Sequence, residues 1–292
     1  MIVGFSGHAV MPLAWALTRF PRRSLVFDAF TSAYDSAVLD RKSVSKWSVG
    51  ALKYWLVDWL SCHLADTILM DTEKHAAYMR RTFRIAPDAV QVLPIGCLDT
   101  MMHPRPPRPP DGKFVVHFHG NFIPTQGVRY ILGAAKLLAG KGVTFRIIGP
   151  SRDYAGSIAE VKRLGLGDVQ FSDYMPYGKL AECIASADIC LGAFGDTEKA
   201  KRTSAFKIVE AMAMRKAVVT GESPALREFS TDRKDILFCR LADAEDLARK
   251  IMELKADASL RERIAEQGFE LYKANFTPAR IGAALLRLIR EV

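Results

Sequence analysis

The second half of the chain alternates short apolar runs with helical patterns, and this alternation constrains the fold more than any other feature. Between the runs, apolar residues recur three and four positions apart, as in YILGAAKLLAG, which is typical of amphipathic helices. Strands that alternate with helices form parallel sheets covered on both faces, so we predict a doubly wound α/β domain of about six strands. The predicted strands are Phe114–Phe118, Thr144–Ile148, Val169–Phe171, Ile189–Leu191, Ala217–Thr220 and Ile236–Phe238.

The first half follows the same alternation on a smaller scale. The proline-rich HPRPPRPPDG, which favours an extended and stiff connection, separates the halves. We predict two Rossmann-like domains, over residues 1-105 and 106-275, and a closing helix at 276-292 that packs back on the first. Four strands make a small sheet for this class, so we expect the N-terminal domain to be incomplete. Its predicted strands lie near Ile2–Phe5, Ser24–Asp28, Thr67–Met70 and Val90–Leu93, and its helices near Ala9–Thr18, Ser45–His63 and Thr72–Phe83.

Composition limits the compartment and the partners. An apolar share of 49% predicts a soluble globular protein, and no basic residue precedes Arg19 as in a secretory signal, so we expect a cytoplasmic protein. The five cysteines are scattered, which favours reduced thiols. The net charge of +9 is spread along the chain rather than gathered in a recognition helix, which favours anionic substrates or an anionic membrane surface over nucleic acid.

His117 and His119 raise the question of a metal site. Two residues apart on a predicted strand, they share one face, as two ligands of one metal would. The other four histidines, at positions 8, 63, 75 and 103, all precede them, so later strands supply no further histidine ligand. We therefore predict no metal and no cofactor. His117 is expected to pack in the core, while His119, next to the following turn, stays a site candidate.

The turn HGNFIPTQG after this strand suits a phosphate better. In a parallel α/β domain, ligands bind beyond the carboxyl ends of the strands. Gly120, beside Asn121, allows the backbone to approach a ligand closely. Backbone N–H groups near Gln126 and Gly127 would point from a helix start toward an anion. The glycines do not follow dinucleotide or P-loop spacing, and a purely structural turn is the alternative.

A second candidate phosphate site is KAKRTSAFKIVE, where basic and hydroxyl side chains precede or open a helix. Lys207 and Glu210, three apart, share a face of that helix, so Lys207 could meet a phosphate while Glu210 accepts hydrogen bonds from sugar hydroxyls. The alternative is a surface ion pair worth roughly 0.2–0.5 kcal/mol. However, Glu210 stands in an otherwise apolar helix, where a carboxylate needs a partner.

These segments resemble the glycosyltransferases of family 4. KIVEAMAMRKAVVTG, followed by SPALRE, is similar to the family's donor-domain helix K-x-x-E-A-x-A-x-x-x-P-V-V. VVHFHGNFIPTQGVRYILGAAKLL, FRIIGP, FSDYMPYGKLAECIASADICLGAF and NFTPARIGAALLRLI fall in family order, and ADTILMDTEKHAAYMRRTF resembles the end of the acceptor domain. The resemblance implies the GT-B fold and transfer of a hexosyl-type sugar from a nucleotide diphosphate sugar to a glycan or lipid-linked acceptor, with retention and without a metal.

The resemblance also implies roles for single residues. Glu210 would hold the donor ribose, and Lys207 would lie near the phosphates or the sugar. Tyr174 and Met175 would border the base, and His8 would face the transferred sugar from the acceptor side. The remaining implied donor-binding residues are Gly120, Asn121, Gln126, Gly127, Gly149, Arg202, Thr203 and Ser204.

The chain departs from the family pattern at three positions. Arg202 stands where the E-x7-E motif has its first glutamate, Gln126 lies near the place of a usual lysine, and Ala217 replaces a proline. We predict that Arg202 and nearby lysines supply the missing positive charge. Other functions open to this fold are a GT-B nucleotide-sugar epimerase, a catalytically silent nucleotide-sugar binding subunit and a generic nucleotide-binding Rossmann protein.

The segment DRKSVSKWSVGALKYWLVDWLSCHLAD mixes basic residues with tryptophans. This combination is typical of a helix at a membrane interface, and a core helix with a basic start is the alternative. If the segment contacts an anionic membrane, the acceptor is expected to be lipid-linked and the protein peripheral at the inner face. The residues concerned are Arg41, Lys42, Lys46 and Lys53 with Trp47, Trp55 and Trp59.

Overall fold

The computed structural model describes residues 1–106, 112–150 and 165–290, together with positions 156, 159, 161 and 163. The chain forms two compact units. Unit 1 comprises Met1–Ile95, Thr197–Ser204 and Ala279–Val292, and unit 2 comprises Gly96–Asp196 and Ala205–Pro278. Each unit contains one parallel sheet with helices beside it, which confirms the predicted α/β class.

Unit 1 is built on a four-stranded parallel sheet in the order β1-β2-β3-β4. Side-chain oxygens cap two of its helices, since Ser48 accepts from the N–H of Ala51 and Thr72 accepts from the N–H of His75. Large side chains such as Phe27 fill its core. The strands are β1 (Ile2–Val3), β2 (Val26–Asp28), β3 (Thr67–Met70) and β4 (Val90–Val92), and the helices are α1 (Met11–Leu17), a π-helix (Asp35–Asp40), α2 (Val49–Leu64) and α3 (Glu73–Phe83).

Unit 2 contains a six-stranded parallel sheet in the order β10-β9-β8-β5-β6-β7. The chain first runs outward from β5 to β7 and then returns to build β8 to β10 on the other side. The strand order therefore reverses between β5 and β8, and ligands of open α/β sheets bind at such a point. The strands are β5 (Phe114–His119), β6 (Val143–Ile148), β7 (Val169–Ser172), β8 (Ile189–Leu191), β9 (Ala217–Gly221) and β10 (Leu237–Cys239).

Helices that alternate with these strands cover both faces of the sheet in unit 2. The apolar sides of the helices at 128–137, 244–256 and 258–275 pack with the strands into one core around Phe118, Phe145 and Ile131. Among the residues described, no helix is long and apolar enough to cross a membrane. The helices are α4 (Val128–Leu137), α5 (Tyr177–Ala185), α6 (Phe206–Ala213), α7 (Ala244–Ala256) and α8 (Ala258–Asn275), followed by α9 (Pro278–Arg290), of which all but the first residue belongs to unit 1.

The units depart from the predicted domain boundaries in three places, of which the smallest is residues 276–278, which group with unit 2. Residues 96–105, predicted in the first domain, group with unit 2, where Cys97 is buried and its Sγ lies 3.7 Å from the hydroxyl of Tyr272. Residues 197–204, predicted in the second domain, group with unit 1. Of the proline-rich segment at 103–112, positions 107–111 lie outside the described residues.

Charged and hydroxyl side chains hold residues 197–204, here called the anchor segment, in unit 1. Its central contact is an ion pair between Arg202 and the fully buried carboxylate of Asp35, with the guanidinium 3.9 Å from the ring centre of Tyr78. The backbone of the segment is also held in place, because the N–H of Ser204 donates to the carboxylate of Asp71. The anchoring contacts include Thr197 to Asp40 at 2.9 Å, Lys199 to Ser36 at 2.6 Å, Arg202 to Asp35 at 2.7 Å and Ser204 to Asp71 at 2.9 Å, and the hydroxyl of Thr72 donates to the carbonyl oxygen of Arg202.

Replacing Arg202 with alanine is expected to lower the free energy of unfolding by about 3–5 kcal/mol, because the change leaves the buried carboxylate of Asp35 without its cation. Urea unfolding followed by circular dichroism measures this loss. The neighbouring Lys201→Ala change removes only an exposed ion pair with Glu198 and should cost less than about 1 kcal/mol. Equal losses in the two variants would contradict the anchoring role.

Candidate functional site

A pocket opens in unit 2 where β5 and β6 end and α6 begins. Its volume is about 350 Å³. The turn after β5, the start of α5 and the first turns of α6 form its walls, as expected for a ligand site at the carboxyl edge of a parallel sheet. The lining residues are His119, Gly120, Asn121, Gln126, Ile148, Tyr174, Met175, Tyr177, Leu180, Ala205, Phe206, Lys207 and Glu210.

Glycine allows the turn after β5 to lie close against its neighbours. Gly120 has a φ of 144°, which side-chain-bearing residues rarely adopt, and a Cβ there would lie 2.6 Å from Nζ of Lys207. A Cβ on Gly149 would lie 2.6 Å from the carbonyl oxygen of Gly120. Both positions therefore require glycine, and the backbone of the turn is brought to the floor of the pocket beside a buried ammonium group.

The carboxylate of Glu210 is buried and held by two donors from unit 2. The hydroxyl of Tyr177 donates to Oε1 at 2.6 Å, and Nε2 of His119 lies 2.7 Å from Oε2. These contacts supply the partner that a carboxylate in an apolar helix requires. Two donors leave further lone pairs on the two oxygens, since a carboxylate offers about four acceptor positions. Glu210 can thus accept hydrogen bonds from a ligand without releasing its partners.

The two histidines form a chain of hydrogen bonds that ends at Glu210. Nε2 of His117 lies 3.0 Å from Nδ1 of His119. Burial lowers the pKa of both rings, for His119 against the opposing effect of Glu210, so both are neutral near pH 7. With His119 donating from Nε2 to Glu210, its Nδ1 must accept, and His117 must donate from Nε2. The pair thus fixes one orientation of the carboxylate. Among the described residues, no group of three His, Cys, Asp or Glu side chains is placed to hold a metal ion.

Lys207 is the cation of the pocket. Its ammonium group donates to Oε1 of Gln126 and lies 4.0 Å from the ring centre of Phe118. Burial lowers the pKa of Lys207 to about 7, although the carboxylate of Glu210 raises it in opposition. At neutral pH the amine therefore titrates readily. It can take up a proton when an anion such as a phosphate enters.

Most of the predicted site residues meet at this pocket. Gly127 and Gly149 border the turn without lining the cavity: Gly127 precedes α4 with a φ of 65°, and Gly149 lies next to Gly120. The hydroxyl of Tyr174 donates to the side-chain oxygen of Asn121 at the rim. The predicted residues that line the cavity are Gly120, Asn121, Gln126, Tyr174, Met175, Lys207 and Glu210.

The other predicted residues belong to unit 1 and make their contacts there. Nε2 of His8 lies 3.0 Å from the buried carboxylate of Asp58. Arg202 is paired with Asp35, and the hydroxyl of Thr203 donates to the carbonyl of Lys199. Ser204 is buried, and its N–H donates to Asp71. The donor-facing roles of His8, Arg202, Thr203 and Ser204 stay predictions.

Sequence reasoning did not single out Tyr177, which orients the central carboxylate, or Ile148 and Phe206, which supply apolar wall. A usable signal existed for two of them. Tyr177 opens the helix after β7, and Ile148 ends β6, so both stand at the carboxyl edge where ligands of such sheets bind. Phe206 precedes Lys207 in a helix whose apolar residues indicate only packing.

The two parallel sheets with flanking helices define the GT-B fold of glycosyltransferases. The crystal structure of Alr3699/HepE from Anabaena in complex with UDP and glucose matches 99% of this chain and 77% of its own, with a TM-score of 0.77 and 15% identity. Sucrose-phosphate synthase from Thermosynechococcus elongatus matches 97% of this chain and 71% of its own, with a TM-score of 0.79 and 17% identity.

Residues 113–257, from β5 to α7, match the family described as Glycosyl transferases group 1. The lipopolysaccharide core biosynthesis glycosyltransferase LpsE of Rhizobium meliloti (strain 1021) is 37% identical over 82 residues, which are 28% of this chain. The match spans 24% of that relative, about a quarter of its length. The predicted resemblance to glycosyltransferases is therefore confirmed, while the family 4 subtype and the retaining mechanism stay predictions.

Proposed function

We propose that this protein transfers a hexosyl sugar from a nucleotide diphosphate sugar to a glycan or lipid-linked acceptor, with retention and without a metal. One observation carries the proposal: Lys207, Glu210 and the turn at Gly120 line a single pocket in the part of the chain that matches the glycosyltransferase family. Because HepE has been solved in complex with UDP-glucose, UDP-sugars are the first donors to test.

The pocket offers separate groups for each part of such a donor. Glu210 supplies carboxylate oxygens for the ribose hydroxyls, and its two protein donors hold it in place. Tyr174, more than half exposed at the rim, supplies an aromatic face for the base. The backbone at Gly120 and the ammonium group of Lys207 lie together, where a diphosphate needs hydrogen bonds and positive charge.

Breaking the bond between the sugar and the diphosphate places a further negative charge on the leaving group. A cation already positioned in a buried site stabilises that charge, because it needs no reorganisation during the reaction. Lys207 is such a cation once it is protonated. Retaining transfer by this route needs no pair of carboxylates like that of a glycosidase, and we propose that the chain uses none.

We further propose that the protein works in the cytoplasm. All five cysteines are free thiols, four of them buried, which suits a reducing compartment. Cell fractionation with an antibody against the intact protein tests the location. Recovery from the periplasmic or secreted fraction would contradict it.

Nucleotide release in the presence and absence of an acceptor tests the function. UDP-, GDP- and ADP-sugars would be incubated with a library of glycan and lipid-linked acceptors, with and without a metal chelator. We expect release that requires an acceptor, that the chelator does not change, and that yields a product with the donor's anomeric configuration by NMR. Turnover without any acceptor would indicate an epimerase, and binding without turnover would indicate a silent binding subunit.

A further inference from the structure

Helix α2 of unit 1 exposes an apolar stripe and buries polar residues. Its outward stripe repeats every three or four positions. Its inward face packs apolar side chains such as Cys62 and Trp59 into the core and also carries the buried side chains of Asp58 and Ser61. A helix on the surface of a soluble domain typically carries polar side chains on its outward face. The stripe consists of Val49, Leu52, Leu56 and Leu60, which are 85%, 56%, 46% and 44% exposed.

Helix α1 continues the same exposed surface. It packs against α2. Its inward side chains include Met11 and Ala14, whereas Leu13, Leu17 and the following Phe20 are exposed. We call the exposed side chains of residues 13–20 and 46–60 the basic apolar face. No residue of this face lines the pocket at Glu210, because residues of unit 2 alone line that pocket.

Positive charge surrounds this apolar surface. Residues 11–27 and 41–57 contain no acidic side chain. The acids that flank the second stretch, Asp40 and Asp58, are buried. The exposed Trp47 has the ammonium group of Lys46 at 5.4 Å from its ring centre. The basic residues of the two stretches are Arg19, Arg22, Arg23, Arg41, Lys42, Lys46 and Lys53.

An apolar cavity adjoins the start of α2. Its volume is about 410 Å³, and its walls include Tyr34, Trp55 and three apolar members of the basic apolar face, Trp47, Val49 and Leu52. Lys46 is also part of the wall. The surface therefore offers a recess for aliphatic chains beside a cation for an anionic headgroup.

We propose that the basic apolar face docks on the surface of an anionic lipid bilayer. Exposed tryptophan and leucine with a predominantly basic rim, in which Asp66 pairs with Arg22, is the arrangement that interfacial helices use, with the apolar side chains inserted among the acyl chains and the cations at the headgroups. A partner protein could also cover the leucines, but it would have to present acids opposite the six basic residues other than Arg22, which pairs with Asp66. Anionic headgroups supply that charge at every position.

Vesicle sedimentation tests the proposal, and it requires no nucleotide sugar, so its outcome is independent of the proposed transferase function. We expect the protein to pellet with vesicles of phosphatidylcholine and phosphatidylglycerol, to be released by high salt, and to stay in solution with phosphatidylcholine alone. The double variant Leu52→Glu/Lys53→Glu should lower the partition coefficient by about 100-fold, given roughly fivefold for each basic charge near the surface.

The matched control is Lys136→Glu/Leu137→Glu, which makes the same changes at two exposed neighbours on α4 of unit 2. It should sediment like the unchanged protein, and circular dichroism should show both variants folded. Equal pelleting with neutral and anionic vesicles would overturn the proposal, as would an equal loss in the control. A dimer in light scattering that Leu52→Glu/Lys53→Glu dissociates, without vesicle binding by the unchanged protein, would instead assign the face to a second copy of the chain.

Discussion

Replacing Glu210 with glutamine is expected to weaken nucleotide-sugar binding by about 100-fold while leaving the protein folded. A hydrogen bond to a charged group is worth about 1.5–3 kcal/mol, and every 1.4 kcal/mol is tenfold in affinity. Glutamine removes the charge and one of the two acceptor atoms that we propose for the ribose hydroxyls. Isothermal titration calorimetry measures the loss with the tightest donor from a panel of UDP-, GDP- and ADP-sugars.

The fold should survive because the amide can satisfy the same partners. Its oxygen can accept from Tyr177 as the carboxylate does, and its NH₂ group can donate to His119 when that imidazole takes its other tautomer. Glu182→Gln is the matched control, since that carboxylate is exposed on α5 and outside the pocket lining. Unchanged affinity in Glu210→Gln, or an equal loss in Glu182→Gln, would remove Glu210 from the donor site.

Replacing Lys207 with methionine is expected to abolish the pH dependence of donor affinity above pH 7. In the unchanged protein, burial lowers the pKa of Lys207 to about 7, so an increasing fraction of the free protein has a neutral amine as pH rises. A diphosphate needs the charged form, so binding must include uptake of a proton. Affinity should therefore fall about tenfold for each pH unit above 7. Calorimetry in buffers of different ionisation enthalpy detects the proton directly.

The stability of the free protein should change with pH in the opposite direction. Between the folded pKa of about 7 and the ordinary lysine value of 10.5, the unfolded chain binds a proton that the folded chain does not, so stability rises with pH. From pH 7 to pH 9 the gain from Lys207 is about 2 kcal/mol. Above pH 9 the buried cysteines oppose it, because burial raises their pKa above that of the unfolded chain.

Lys207→Met should remove the fall of donor affinity above pH 7 and the contribution of Lys207 to the rise of stability between pH 7 and pH 9. It should also make the ligand-free protein more stable at pH 7. Lys179→Met, at an exposed position on α5, is the matched control and should leave both curves unchanged. A donor with no ionisable secondary phosphate, such as UDP-glucose, keeps titration of the ligand out of the measurement. If Lys207→Met kept the full pH dependence of affinity, another group would have to carry the proton.

Periodicity along the chain was sufficient to predict the strands of both sheets and the side of the sheet where ligands bind. It also predicted that the carboxylate of Glu210 needs a partner, because the surrounding helix is apolar. The identity of the partners could not follow, since His119 and Tyr177 lie 91 and 33 residues away in sequence. Whether these two side chains meet Glu210 depends on which strands are neighbours where the strand order reverses. No local sequence pattern determines which strands are neighbours there.

Long-range contacts also explain why the anchor segment belongs to unit 1, although its local sequence pattern predicts a place in the second domain. Its basic residues precede a helix, which is the local pattern of an anion site, yet Arg202 pairs with Asp35 across 167 residues. The orientation of α2 was ambiguous for another reason. Leucines and tryptophans occur on more than one face, so periodicity cannot tell the inward stripe from the outward one. The buried network around Asp58, which accepts from Ser32 and the N–H groups of residues 33 and 34, fixes the choice.

The division of unit 1 into three stretches of chain determines when it can finish folding during synthesis. Asp35 leaves the ribosome 167 residues before Arg202, and the last helix follows after nearly the whole of unit 2 has been made. Contacts between such distant positions form late, because closing the intervening loops costs entropy. Unit 2, whose two stretches are interrupted only by eight residues, can assemble its sheet first. We therefore expect a nascent chain that stops before residue 197 to protect the amides of unit 1 less than a released chain of residues 1–292, in which the anchor segment and α9 are present.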